Sequence, residues 1–401
     1  MNQRMIAAPG CFYSLRKIRH AAVITAALIA AALIAAVLSG CQPAAAAAQF
    51  HGGPERQGTY NTQTVSKPSG MLWHFATRGP VWSSPVVFDG VVYAGSDDHN
   101  LYALDAKNGA EIWRFTSDGA VRSAPAIAGG QVFFTSFDGS LYALNAKTGK
   151  LNWQVDMQAG SPLHRQNYDD FNSSPLVTGG SIYAGSLNPQ AGFYAVDEKS
   201  GQVQWKYTAA PEDVVRGPAA YAAGRVYFGA GANLIALDAK TGQEAFRFQT
   251  GGAINYAPAL EKETLVFGSR DGSLYAISTA DAHLLWKVEL SPGAWVSGSP
   301  AIAGGTVFVG TAEGRSLHAV TLAEGKPVWS FQARGWIWSS PCAAGGLVFV
   351  GSYDRKVYGL DAKTGQEIWE LETDGPVVSS PVIADGILYI GSGDGNIYAI
   401  R

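Results

Sequence analysis

The stretch SSPVVFDGVVYAGSDDHNLYALDAKNGAEIWRFTSDG, residues 83–119, decides the fold because it divides into four short apolar runs separated by turn residues. The first run, strand A, begins at S-S-P, and a D-G turn leads to strand B, which ends in Y-A-G-S. A second turn leads to strand C, L-Y-A-L-D, and an A-K-N-G turn leads to strand D, which carries Trp113. Turns of this composition supply the positive φ that tight hairpins need. The stretch therefore predicts one four-stranded antiparallel unit.

The unit recurs along the chain, and each copy is marked by a proline that follows small residues. The eight prolines are Pro85, Pro125, Pro175, Pro218, Pro258, Pro300, Pro341 and Pro381. Seven spacings of 40 to 50 residues separate them, and this is the period of a propeller blade. The strands are nearly continuous apolar runs because each blade buries both faces against its neighbours. The sequence predicts an all-β, eight-bladed β-propeller over residues 71–401.

The aromatic residues of strand D show how the ring closes. There are eight of them, Trp73, Trp113, Trp153, Trp205, Phe246, Trp286, Trp329 and Trp369. Trp73 precedes the first proline, and the chain stops after I-Y-A-I, which is a strand C. The last blade thus lacks its own strand D. We expect residues 71–78 to supply it, since closure removes the open sheet edges.

The repeat resembles a known family. The A-x-D-A-K-T-G-x-x-x-W pattern at Ala103–Trp113, Ala143–Trp153 and Ala236–Phe246 resembles the tryptophan-docking motif of PQQ-type propellers. With the amino-terminal segment described next, the chain resembles the BamB family of outer-membrane assembly lipoproteins, and also PQQ-repeat lipoproteins of unassigned function. Quinoprotein alcohol dehydrogenases are similar in fold. Their vicinal cysteine pair and calcium site with a catalytic aspartate cannot be placed on this sequence, so the resemblance implies fold more than cofactor.

The amino terminus has the features of a bacterial lipoprotein signal. A basic cluster at Arg16, Lys17 and Arg19 precedes the apolar residues 21–38, and L-S-G-C ends at Cys41. This order predicts cleavage after residue 40 and lipidation of Cys41, with an uncleaved transmembrane anchor as the alternative. Residues 41–70 are expected to form a lipidated tether and an irregular segment along the body. Gln42 follows the lipidated cysteine, and by resemblance to enteric lipoproteins this favours an outer-membrane anchor facing the periplasm.

Composition and scattered polar residues exclude several classes of function. The formal net charge is −3, and a weakly acidic chain is unsuited to nucleic acid. The seven histidines show no metal-ligand spacing, and the three cysteines form no zinc motif, so neither a metal site nor a cysteine-based active site is predicted. A catalytic triad assembled across blades remains an open alternative. An aspartate recurs in the B–C turn of five blades and is interpreted as turn chemistry. His99 and Arg355 follow two of these aspartates, and we expect positive φ at both.

One face of the predicted ring carries unusual residues. In a propeller the D–A and B–C loops share a face, and the residue three before each proline varies although the repeat around it is nearly constant. The four tryptophans outside strand D all lie in D–A loops, and two arginines occupy the complementary arc, giving as candidate binding residues Trp82, Trp295, Trp336, Trp338, Arg122 and Arg216. The longer D–A loop at 156–172 and the longer B–C turn at 187–192 lie on the same face. Tryptophan and arginine are common interface anchors, although tryptophans that merely plug the channel mouth are the alternative.

These observations predict a non-catalytic cell-envelope lipoprotein that acts as a protein-binding scaffold, with outer-membrane protein assembly as the specific role that the BamB resemblance implies. A quinoprotein oxidoreductase with PQQ in the central funnel is the first alternative. A propeller that binds a small molecule or a polysaccharide through its tryptophans is the second.

Overall fold

A computed structural model describes residues 47–62, 65, 68, 70–157, 173–186, 192–210 and 213–401, and the residues from Ala47 onward form one compact unit. This part of the chain contains strands and no helices. In chain order they are β1 Met71–Ala76, β2 Val86–Phe88, β3 Val91–Gly95, β4 Asn100–Asp105, β5 Glu111–Thr116, β6 Ala126–Ala128, β7 Gln131–Thr135, β8 Ser140–Asn145, β9 Leu151–Asp156, β10 Leu176–Thr178, β11 Ser181–Gly185, β12 Phe193–Asp197, β13 Val203–Tyr207, β14 Ala220–Ala222, β15 Arg225–Ala230, β16 Asn233–Asp238, β17 Glu244–Gln249, β18 Ala259–Glu261, β19 Thr264–Gly268, β20 Ser273–Ser278, β21 Leu284–Glu289, β22 Val296–Ala303, β23 Thr306–Thr311, β24 Ser316–Thr321, β25 Pro327–Gln332, β26 Cys342–Ala344, β27 Leu347–Gly351, β28 Lys356–Asp361, β29 Glu367–Glu372, β30 Val382–Ala384, β31 Ile387–Gly391 and β32 Asn396–Ile400.

The strands form eight four-stranded antiparallel sheets, which confirms the eight-bladed propeller. Blade 1 is β2–β5, and each later blade takes the next four strands, so that blade 7 is β26–β29. Blade 8 consists of β30, β31 and β32 together with β1. Its register pairs Trp73 with Ala399 and Ala76 with Asn396. The prediction that an amino-terminal strand closes the ring is therefore confirmed.

The A strands lie innermost, and serine side chains connect them. The residue before a repeat proline donates its backbone N–H to the serine at the same position of the next blade. This bond forms in every blade whose following blade has a serine there. Ser299 donates to Ser340 Oγ at 2.8 Å, Ser340 to Ser380 at 3.0 Å, and Ser380 to Ser84 at 2.8 Å. Small side chains therefore precede the prolines because the A strands converge there.

Six of the seven strand D tryptophans, all except Trp369 of blade 7, dock on the C–D turn of the following blade. Trp113 of blade 1 donates its indole N–H to the carbonyl of Ala146 in blade 2 at 3.0 Å. A Cβ on Gly149 would lie 2.7 Å from the same indole, so this turn requires glycine both for space and for its φ of 66°. The docking repeats from blade to blade and holds the ring together at its outer edge.

The B–C turns confirm the structural interpretation of the recurring aspartates. Asp98 accepts a hydrogen bond from the backbone N–H of Asn100 at 3.0 Å, from the Tyr102 hydroxyl at 2.7 Å, and from the backbone N–H of Arg78 in the D–A loop at 2.9 Å. Asp138, Asp354 and Asp394 repeat this pattern. His99 and Arg355 have φ values of 72° and 73°, as predicted. The aspartate therefore couples the two loops that share a face.

Residues 48–60 belong to the part of the chain that the sequence predicts to be irregular, and they form isolated bridges but no strand. The segment runs against the inner A strands, and Arg56 within it is fully buried. Its composition of glycine, proline and polar residues is typical of a surface loop, so nothing in the local pattern indicated that it lies against the inner A strands. Cys41, the signal segment and the longer loops at 158–172 and 187–191 lie outside the described residues.

Candidate functional site

The face that carries the D–A and B–C loops is built by one repeated backbone hydrogen bond. The residue that precedes the turn aspartate donates its N–H to the carbonyl of the residue five before the repeat proline, as in Asp97 to Pro80 at 2.9 Å and Tyr353 to Trp336 at 2.8 Å. This bond places two positions of the repeat side by side, one in each loop. Both positions vary from blade to blade, so the fold presents a ring of paired variable side chains.

Trp82 and Arg122 meet at Asp97, which is the variable B–C residue of blade 1. The Trp82 indole N–H donates to the carboxylate at 3.1 Å, and the Arg122 Nε and Nη2 atoms donate to its two oxygens at 2.8 Å each. The guanidinium of Arg122 also lies 5.1 Å from the ring centroid of Phe137. The side chains of Arg122 and Asp97 are 15% and 17% exposed. Arg122 is thus held rigidly, with its charge balanced by Asp97.

Trp336 and Trp338 form a second cluster on blade 7. Their rings are stacked with centroids 5.6 Å apart and an interplanar angle of 16°. Tyr353, the variable B–C residue of this blade, contacts both at 5.5 and 6.0 Å. Trp336 is 39% exposed, which is high for so large an apolar side chain. The cluster therefore offers an exposed and pre-ordered aromatic surface.

Trp295 belongs to a third group, at blades 5 and 6. The Arg270 guanidinium lies 4.1 Å from its ring centroid in a cation–π arrangement. Arg270 Nε and Nη2 lie 2.8 and 2.9 Å from the Asn255 amide oxygen, with that amide in the orientation that satisfies both partners. Arg216 is half-buried in the approach to Pro218 on blade 4. The structure thus divides the sequence-predicted residues among several blades instead of gathering them into one pocket.

Gly393 shows how blade 8 accommodates a neighbouring side chain. A Cβ at this B–C position would lie 2.6 Å from Cη2 of Trp82 and 3.1 Å from Cδ of Pro376. The Trp82 ring therefore extends over blade 8, which lies between blade 1 and the aromatic cluster of blade 7. Glycine is required here for space.

Several residues of the face were missed by sequence reasoning: Asp97, Phe137, Arg270, Tyr353 and Gly393. All occupy the position between the serine that ends strand B and the turn aspartate. The signal was present, because this position varies in the same way as the D–A position that was recognised. It was overlooked because the blades were compared at the neighbouring aspartate, which recurs.

The described residues were also considered as a cofactor site. Within them no three acidic, histidine or cysteine side chains lie close enough together to hold a metal ion, and Cys342 is a buried free thiol whose pKa is raised by burial. The inner channel is lined by residues 48–60 where these contact the A strands. At the D–A face, Trp82 and Trp338 belong to separate clusters on different blades, and Arg122 is already paired with Asp97, so these residues do not form one assembled site for a planar anionic quinone.

No stretch of the described residues forms a helix with the length and apolar character that a membrane crossing requires. Comparison with known proteins finds curated relatives among enzymes. The chain is 26% identical over 256 residues to tetrathionate hydrolase from Acidithiobacillus ferrooxidans, covering 56% of this chain and 41% of that protein. It is 29% identical over 190 residues to lupanine 17-hydroxylase [cytochrome c] from a Pseudomonas species, covering 45% of this chain and 22% of that protein. The chain thus spans less than half the length of these relatives.

Solved structures with the same fold include a BamB protein and a quinohemoprotein alcohol dehydrogenase. BamB from Moraxella catarrhalis superposes with a TM-score of 0.68 at 17% identity, covering 82% of this chain and 99% of that one. Quinohemoprotein alcohol dehydrogenase from Comamonas testosteroni gives 0.73 at 16% identity, covering 88% and 80%. At such identities the likeness shows the fold alone. The family described as outer membrane protein assembly factor BamB matches residues 63–192, 189–330 and 283–401. Because these matches span nearly the whole propeller, the chain belongs to this family of PQQ-repeat β-propellers.

Proposed function

We propose that this chain is a lipid-anchored, non-catalytic scaffold of the cell envelope that binds another envelope protein through its D–A and B–C face. The observation that carries the proposal is the stacked pair Trp336 and Trp338 with Tyr353, a largely apolar cluster in which Trp336 is exposed and the other two rings are half-buried. A surface of this kind loses little side-chain entropy on binding because its rings are already ordered. The BamB family membership supports an envelope partner, with outer-membrane protein assembly as the specific role.

The proposed anchor is the lipidated thiol of Cys41, following cleavage of residues 1–40. Gln42 after the cysteine favours the outer membrane, with the propeller in the periplasm. Trp82, Trp338 and Arg122 are proposed as the main contact residues, with Trp295, Trp336 and Arg216 contributing less. The charges of Arg122 and Asp97 neutralise each other. Arg122 therefore contributes by holding Asp97, to which Trp82 is also bonded, and not by supplying net charge.

Co-purification from mild detergent extracts tests the scaffold. The wild-type chain is expected to retain an envelope protein that the double variant Trp82→Ala, Trp338→Ala loses. A matched control is the double variant Ile112→Ala, Ile368→Ala, which removes exposed apolar side chains from the outer edges of blades 1 and 7. Loss of the partner in the control, or its retention in the tryptophan variant, would contradict the proposed face.

An oxidoreductase is the second candidate, because the curated relatives include quinohemoprotein alcohol dehydrogenase ADH-IIG from Pseudomonas putida, 28% identical over 199 residues. In that case a bound quinone would supply the redox chemistry, and the Trp82 ring is the side chain on which it would stack. Absorbance of the purified protein titrated with PQQ and calcium separates this candidate from the scaffold. A saturable change in the quinone spectrum that Trp82→Ala abolishes supports the enzyme.

A further inference from the structure

Residues 48–60, named here the inner segment, contact the A strands of six consecutive blades in order. In each of blades 2 to 7 one backbone N–H of strand A donates to this segment. The pairs are Ile127 to Ala48 O at 2.7 Å, Val177 to the Gln49 side-chain oxygen at 2.9 Å, Tyr221 to Pro54 O at 2.8 Å, Leu260 to Glu55 O at 2.9 Å, Ile302 to Gln57 O at 2.8 Å and Ala343 to Gly58 O at 2.8 Å.

These donors occupy the same place in the repeat, two residues after the proline in five blades and three after it in blade 4. Strand A is the inner edge of each sheet, so this N–H has no partner within its own blade. A buried backbone N–H without an acceptor destabilises the folded state. The inner segment thus satisfies one equivalent donor in each of six blades, as an added strand satisfies a sheet edge.

Arg56 anchors the segment between blades 3 and 4. Its guanidinium is fully buried and donates to three carbonyl oxygens, those of Ala219 at 2.9 Å, Pro175 at 3.1 Å and Phe50. Burial lowers the pKa of Arg56 to about 9. A buried cation that is coordinated by carbonyl oxygens from two blades and from its own segment specifies one placement of the segment.

The segment enters and leaves the channel by the same end. Ala48 runs antiparallel to β6 in blade 2, whereas Thr59 runs parallel to β26 in blade 7. All A strands point from the D–A face to the A–B end, so both ends of the segment point toward the A–B end. The segment therefore follows a hairpin-like path. Between Ala48 and Tyr60 only noncovalent contacts hold it against the propeller.

We propose that the inner edges of blades 2 to 7 form a binding site for one polypeptide segment with a hairpin-like path, and that residues 48–60 are its resident ligand in cis. Five of the six N–H donors recognise backbone carbonyl groups and the sixth binds the Gln49 side chain, and the carbonyls of Pro175 and Ala219 select an arginine. This site is distinct from the D–A face, so the proposal does not depend on the proposed scaffold function.

Cutting the full chain beside the segment tests the proposal. A specific protease sequence is inserted between Asn61 and Thr62, where Asn61 is exposed, and the purified protein is cleaved in detergent. The fragment ending at Asn61 is expected to remain with the propeller through gel filtration. A labelled synthetic peptide of residues 47–61 is then expected to exchange into the cleaved protein, and the Arg56→Ala peptide to compete at least 10-fold less well. The Glu55→Ala peptide is the matched control, because the Glu55 side chain is exposed and only its carbonyl is used.

Cys342 provides an independent readout. It is buried in a cluster that Tyr60 packs against, at the blade 7 end of the segment. Cleaved protein that keeps its fragment should leave Cys342 unreactive to a maleimide, with the label located by peptide mass. Departure of the fragment on cleavage, or equal competition by the wild-type and Arg56→Ala peptides, would overturn the proposal.

Discussion

The indole nitrogen of Trp369 lies 3.0 Å from the carbonyl oxygen of Val65 and donates a hydrogen bond to it. In five other blades the corresponding acceptor belongs to the C–D turn of the next blade, as with Ala362 for Trp329 at 3.1 Å. Blade 8 has no such turn, because its outer strand is β1 and does not follow β32 in the chain. Val65, which is buried, takes that place. The amino-terminal segment therefore completes blade 8 with a docking site as well as with strand β1.

Closure by β1 predicts a large loss of stability when its tryptophan is removed. Trp73→Ala should lower the free energy of unfolding by about 3–5 kcal/mol as a core truncation, measured by denaturant titration. Leu72→Ala in the same strand is the control, since Leu72 is 43% exposed. Deletion of residues 71–78 should expose the edge of β32 and cause aggregation. A deletion variant that stays soluble and unfolds cooperatively would show that closure does not depend on β1.

The tryptophans of the binding face and of strand D should respond in opposite ways. Trp113 is only 9% exposed and docks on blade 2, so Trp113→Ala should cost about 3–5 kcal/mol. The double variant Trp82→Ala, Trp338→Ala should leave the melting temperature within a few degrees of wild type. Equal destabilisation by both would identify the face residues as packing groups that plug the channel mouth.

The contact between Gly393 and Trp82 predicts a coupled pair. Gly393→Val forces the Trp82 ring to move and should destabilise the protein by about 1–3 kcal/mol through overpacking. In a Trp82→Ala background the same substitution should cost less, because the closest contact is gone and only Pro376 remains near the added side chain. A double-mutant cycle by denaturant unfolding measures this coupling. Additive effects would mean that Gly393 is required for another reason.

The turn aspartates predict a loss of stability in acid. Burial alone would raise the pKa values of Asp98 and Asp271, but hydrogen bonds from Tyr102 and Tyr275 and from backbone N–H groups hold them below their ordinary value. The unfolded chain therefore binds these protons at higher pH than the folded one. The stabilisation is complete at neutral pH and is lost as pH falls below about 4 through the folded pKa values.

Denaturant midpoints at pH 7, 5 and 3 check the acid prediction. Asp98→Asn should be less stable than wild type at pH 7 but should lose less between pH 5 and pH 3. Asp118→Asn is the control, because its side chain is exposed and it should keep the wild-type pH profile. Identical profiles for all three proteins would remove Asp98 from the explanation.

The lipoprotein signal predicts a mature chain that begins at an acylated Cys41. Intact mass spectrometry of the membrane fraction should show loss of residues 1–40 and a gain corresponding to the lipid. Cys41→Ser should block processing and leave the precursor. A wild-type protein that retains residues 1–40 would favour the uncleaved anchor instead.

The repeat made most of the propeller predictable, because one physical pattern recurs eight times. Turn chemistry at Asp98, the proline spacing and the offset of Trp73 each report on local geometry or on closure, and all three were read correctly. The partners of single side chains on the face were not predictable. That Arg122 pairs with Asp97 depends on the twist between blades 1 and 2, which no spacing in the sequence encodes.

The inner segment was missed for a different reason. Five of its six contacts with the N–H groups of the A strands use backbone carbonyl groups, which every residue possesses, so the sequence carries almost no record of them. Side chains such as Gln49, Arg56 and Gln57 add further contacts, but polar residues in such a stretch are ordinarily solvated. Blade 8 takes its outer strand from β1 and so has no C–D turn, which was a usable clue, since Trp369 then needs another acceptor.

Completion of blade 8 from both ends of the chain sets the order of events during synthesis. Strand β1 leaves the ribosome first of the described strands, yet its partner β32 is the last of these strands to be made. Until then β1 has no sheet to join, and blades 1 to 7 form an open arc with an unpaired edge. Because the final pairing must close a loop of almost the whole chain, it is entropically the most expensive step and should be slow. The unfinished arc is consequently the species most exposed to aggregation, and a factor that protects it needs to act only until the last strand has been made.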